Sequence, residues 1–295
     1  MFGQDYPDWR TLVKIDEAQA IVVAKMHVED SIEGYGTLSV LEVLKGKQNL
    51  RGAKVQFSDK RQKRKYRKGK PMPTYWYNEG QEGIWLLMDK DTLPRYELRQ
   101  SKLYYDKKWA SWIKEQLVGL KNREWTISQG LAGSVIVDDV GGNKLYRFFY
   151  LCLRNDSKET VYINTFHRIV YNTHGHSQYG VSHSRYEASI TTPQQEQIDM
   201  INGHNPDILL YGMPGWIQPI TRDFAELRPG KTIYLPATGD LRCFLRKPSK
   251  GTYLFQASYH NNYKIDDLYG NIWTGEITFP VSRFTYDYNS FENKK

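Results

Sequence analysis

The densest group of charged side chains in the sequence is a basic run over residues 60–70, KRQKRKYRKGK. Its cations are Lys60, Arg61, Lys63, Arg64, Lys65, Arg67, Lys68 and Lys70, and no acidic residue interrupts them. Side chains of this kind attract phosphate, sulfate and carboxylate groups. We therefore predict a contact with an anionic polymer or surface, or with an acidic protein partner. The alternative is a solvated loop whose like charges repel one another.

Aromatic residues accompany the basic run. Tyr66 lies within it, and Tyr75, Trp76 and Tyr77 follow it. Single-stranded nucleic acids are bound in this way, with cations along the phosphates and rings stacked on the bases. A single-stranded nucleic-acid binder is therefore a second hypothesis, although we do not expect base-specific recognition.

The histidines offer a weak candidate metal site at His174, His176 and His183. An H-x-H pair can direct two imidazoles at one zinc or copper ion. No Asp, Glu or Cys lies within six residues of the pair, so a polar loop is the preferred interpretation. Asp266 and Asp267 lie in an Asn-rich stretch without the calcium-loop pattern, and we predict a turn there. We expect no metal and no other cofactor.

The sequence lacks the motifs of the common catalytic sites. It has no G-x-S-x-G elbow, P-loop, G-x-G-x-x-G or H-E-x-x-H. We therefore expect a protein without enzymatic activity. A carbohydrate-binding or carbohydrate-active protein is a third hypothesis: Trp216 lies among Gly and Pro, and a pair of carboxylates for sugar hydrolysis is recognised only in space.

The charge of the chain is concentrated in the basic run. The 295 residues include 41 Lys and Arg against 33 Asp and Glu, a net charge of +8. Without the eight cations of the run, 33 basic residues face 33 acidic ones. The rest of the chain is therefore neutral overall, and a partner attracted by charge should meet the run first.

Three further features limit the class of protein. The two cysteines, Cys152 and Cys243, are too few for a disulfide scaffold, and they predict either one bond between strands or two buried thiols. No apolar run reaches the roughly 18 residues of a membrane span. The first residues, MFGQDYPDWR, have no apolar signal-peptide core.

The elements that must position these residues are predominantly strands. Alternating or apolar runs bounded by turn residues predict strands at 20–29, 34–47, 53–57, 83–89 and 95–99, and again through most of the chain after residue 126. The spacing of Trp109, Trp112, Ile113, Leu117 and Leu120 predicts a helix over 107–121. This helix should seal the first domain or lead to the second. A second, short helix is predicted from Thr192 to Asn202.

Two resemblances accompany this pattern. The residues YGTLSVLEVLKG, LRGAKVQF and EGIWLLMDKD are similar to the netrin- and TIMP-related modules, which are OB-like five-stranded barrels. The residues LRPGKTIYL, KGTYLFQASYHN and IWTGEITFPVSRFTY resemble the last strands of bacterial immunoglobulin-like sandwiches. Inhibition of metalloproteases by TIMPs uses an N-terminal cysteine, and Cys is absent before residue 152. We do not carry that activity over.

The sequence thus predicts a mostly β protein of two domains. We expect an OB-like barrel over 1–105, a helical linker over 106–125 and an immunoglobulin-like β-sandwich over 126–295. Such sandwiches are typical of exported bacterial proteins. The resemblance therefore implies a periplasmic or extracellular binding or adaptor protein of the cell envelope, with a cytoplasmic protein as the alternative.

Overall fold

The computed structural model describes residues 11–30, 35–58, 79–88, 96–98, 106–139, 146–165, 184–191, 224–240, 250–261 and 270–286. Within these stretches the chain is mostly β structure, as the sequence predicts. The described residues divide into two compact units, one before residue 123 and one from residue 123 onward. We describe each unit by itself.

In the first unit the described residues form two α-helices, α1 and α2, and five strands, β1–β5. Their bounds are α1 Thr11–Glu17, β1 Ala20–Asp30, β2 Tyr35–Lys45, β3 Lys54–Ser58, β4 Glu82–Met88, β5 Tyr96–Leu98 and α2 Ala110–Lys121, with short 3-10 turns at Gln48–Leu50 and Lys107–Trp109. The predicted strands of this half agree with these bounds to within a few residues.

Each strand of the first unit pairs with two others. β1 pairs antiparallel with β2 and β4, and β2 pairs antiparallel with β3. β5 lies between β3 and β4, parallel to β3 and antiparallel to β4. The neighbours therefore follow the order β1-β2-β3-β5-β4, and β4 returns to β1. This ring surrounds one apolar core, in which Met26, Leu38 and Trp85 are fully buried.

The two helices cover part of the outer face of these strands. Ile113 of α2 is fully buried against Ile21 of β1 and Ile84 of β4 in a second apolar core. The helix predicted over 107–121 is thus present, and it packs on the first unit. Helix α1 is not predicted by the sequence, because seven residues are too short to display a 3.6-residue period. The last turn of α1 is held by Lys45 of β2, whose Nζ donates hydrogen bonds to the carbonyl oxygens of Ile15 and Asp16.

In the second unit the described residues form ten strands, β6–β15. Their bounds are β6 Thr126–Ser128, β7 Leu131–Asp139, β8 Tyr146–Asn155, β9 Val161–Asn164, β10 Ser184–Thr191, β11 Phe224–Leu227, β12 Thr232–Asp240, β13 Gly251–Asn261, β14 Gly275–Thr278 and β15 Ser282–Tyr286. They form one sheet of order β12-β8-β7-β6, a second in which β13 pairs with β10, β14 and β15, and a small pair β9–β11. The predicted helix 192–202 lies outside the described residues.

The two larger sheets share one apolar core. Leu151 and Leu153 of β8 contribute to it from one sheet, and Phe255 and Tyr259 of β13 from the other. Along β13 the buried residues alternate with less buried ones, as the sequence predicts. Gly133 of β7 lies close to the second sheet, because a Cβ there would crowd the side chains of Ile277 and Phe279.

Strand β8 is buried on both faces. Cys152 and Tyr150 point away from the shared core, since their neighbours Leu151 and Leu153 point into it, yet all four are buried. The sequence of such a strand is a continuous apolar run, and FFYLCL in β8 is an example. Cys152 is a buried thiol, and its sulfur lies 3.7 Å from the Tyr150 carbonyl oxygen. Cys243 lies outside the described residues.

A buried polar network ties β9 to β13 and to the segment before β14. The Tyr259 hydroxyl donates to the Asn164 carbonyl at 3.0 Å, and the Asn261 amide donates to the Trp273 carbonyl at 2.7 Å. The Asn164 amide donates to Asn261 at 3.4 Å. Burial raises the pKa of Tyr259 far above its usual range, while the hydrogen bond to Asn164 acts in the opposite direction. The hydroxyl therefore remains a donor across the physiological range.

The lack of a side chain at Gly36 allows β2 to pair closely with β1. A Cβ at this position would overlap the His27 carbonyl oxygen and press on the Phe57 ring. We expect Gly36→Ala to lower the free energy of unfolding by about 1–3 kcal/mol, because backbone and ring must move apart. The control is Gly119→Ala, because a Cβ at this position on α2 would meet no other atom. It should raise the free energy of unfolding by up to about 1 kcal/mol. Urea unfolding measures both, and equal stability of Gly36→Ala and the parent would contradict the overlap.

The buried network generates a second prediction. Tyr259→Phe removes only the hydroxyl that donates to Asn164, while the ring stays in the core. We expect the free energy of unfolding to fall by about 1 kcal/mol, the usual net contribution of such a hydrogen bond. Urea unfolding at neutral pH tests this. An unchanged urea midpoint would show that the Tyr259 hydroxyl does not stabilise the contact between β13 and β9.

Candidate functional site

The basic run lies outside the described residues, and only its two flanks are described. β3 ends at Ser58 before the run, and the chain is described again from Glu79. Tyr66, Tyr75, Trp76 and Tyr77 lie in the same gap. The residues that hold the two flanks are therefore the part of this candidate site that the structure supplies.

The flank before the run is held by strand pairing. Phe57 is 2% exposed and lies in the core enclosed by β1–β5. Ser58 lies opposite Tyr35 of β2 and Glu97 of β5. The chain thus enters the basic segment from a strand with a neighbour on each side.

The flank after the run is held by a carboxylate. Glu79 Oε2 accepts a hydrogen bond from the Val28 backbone N–H at 2.7 Å, and Glu79 Oε1 lies 2.8 Å from Nδ1 of His27. The backbone continues this contact, because the Gly80 N–H donates to the Met26 carbonyl and the Met26 N–H to the Gln81 carbonyl. Residues 79–81 therefore extend the pairing of β4 along β1.

Both flanks lie at the same end of the first unit. Val28, Gly36 and Phe57 form one row across β1, β2 and β3. Glu79 contacts this row at Val28, and Ser58 directly follows Phe57. The connection that carries the basic run therefore leaves and rejoins the strands beside a single row of residues.

A partly exposed polar face lies next to this row. On β1, β2 and β3 the residues that alternate with the core point outward, and these are Lys25, His27, Thr37, Ser39, Lys54 and Gln56. We call these six residues the β1–β3 polar face. It has lysine, imidazole, hydroxyl and amide groups, which offer charge attraction and hydrogen bonds to an oxygen-rich anionic ligand.

The carboxylate of Glu79 is electrostatically stabilised. The hydrogen bond from the Val28 N–H is the largest cause that lowers the pKa of Glu79, and the hydrogen bond with His27 also lowers it. Burial opposes both. The site therefore keeps an ionised carboxylate beside a partly exposed histidine, whose side chain is 39% exposed. Sequence reasoning missed this pair, since His27 and Glu79 lie 52 positions apart and neither belongs to a motif.

The other candidate residues fall outside the described part of the chain or have structural partners. His174, His176, His183, Trp216, Asp266 and Asp267 lie outside it. Asn261 belongs to the buried network, and Asn271 donates to Glu159 and to the Thr160 carbonyl. Among the described residues no three His, Cys, Asp or Glu side chains are grouped to hold a metal ion.

Comparison of the chain with protein-family models, with curated proteins and with solved structures finds no match. In the described part of the chain, none of the helices has the length and apolar character needed to cross a bilayer.

The Glu79 contact makes a prediction about pH and stability. A carboxyl whose pKa is lowered by folding stabilises the protein above its unfolded pKa, near 4.5, and this contribution is lost as the pH falls through the lowered folded value. Glu79→Gln should therefore be less stable than the parent at neutral pH, and the difference should shrink at about pH 3. Urea unfolding at both pH values measures it. Glu115→Gln on the exposed side of α2 is the control, and an equal response of the two variants would refute the role of Glu79.

Proposed function

We propose that the protein is a non-enzymatic binding or adaptor protein that attaches to anionic polymers or surfaces through the basic run of residues 60–70. The observation that carries the proposal is the charge distribution: the eight cations of the run equal the whole net charge of +8. Attraction of a polyanion should therefore be directed to one segment of an otherwise balanced chain.

The described flanks support this proposal. The segment with the cations is tied to β3 on one side and, through Glu79, to β1 on the other. The free energy of binding would come from replacing small counterions on the polymer by the cations of the run. Such binding needs charge density, and it needs no deep pocket.

We also propose the architecture and location that the resemblances imply. The first unit is taken as an OB-like barrel, which five strands in the order β1-β2-β3-β5-β4 support. The second is taken as an immunoglobulin-like sandwich, which two sheets around one core support. On this basis the protein would act in the bacterial periplasm or outside the cell.

Elution from a heparin column against salt tests the proposed contact. The variant carries Lys63, Arg64, Lys65, Arg67 and Lys68 changed to Ser. The matched control loses the same charge from exposed positions elsewhere, with Lys47, Arg51, Lys121, Lys158 and Lys231 changed to Ser. We expect the run variant to elute at much lower salt than the parent, and the control to elute close to the parent.

The salt dependence gives the size of the effect. With about five ion contacts, the affinity of the parent should fall by about 10²-fold or more between 50 and 200 mM salt. Elution of the run variant and the control at the same ionic strength would refute the run as the contact. Retention on single-stranded oligonucleotide with none on heparin would favour nucleic-acid binding instead.

A further inference from the structure

We draw no further inference here: the strongest candidate, the partly exposed β1–β3 polar face of the first unit, belongs to the site already described, and nothing in the described part of the chain shows what covers it.

Discussion

The first unit depends on the double burial of strand β1. This strand pairs with β2 and β4, and its side chains alternate between two cores. Val22 and Met26 point into the core enclosed by the strands, while Ile21 and Val23 point toward the helices. An error of one residue in its register would exchange the two sets, so the pattern of the strand specifies its own alignment.

The candidate site follows from the place where this double burial ends. Beyond Val23 the outward positions of β1 are Lys25 and His27, because the helices cover only the earlier part of the strand. Lys25 is exposed there and His27 partly exposed, so their polar groups keep contact with water. The same stretch pairs with the backbone of residues 80–81 and donates to the Glu79 carboxylate, so the flank of the basic segment is joined to a strand whose first half is buried on both faces.

The second unit also depends on a strand with two buried faces. Strand β8 is buried on both faces, and the shared core closes tightly where Gly133 faces the opposite sheet. Apolar contacts alone are weakly directional, whereas the hydrogen bonds of Asn164, Tyr259 and Asn261 have a defined geometry. These buried amides therefore hold β9 and β13 in one alignment.

The sequence by itself determined the class of structure, most strand positions, the long helix and the location of the excess charge. These properties depend on local periodicity and on composition, which a single chain displays directly. Only the tertiary structure decided that His27 meets Glu79, that Lys45 holds the end of α1, and that both flanks of the basic run share one row of residues. Contacts between side chains far apart in the chain depend on strand register and order, and these are settled by the packing of the whole core.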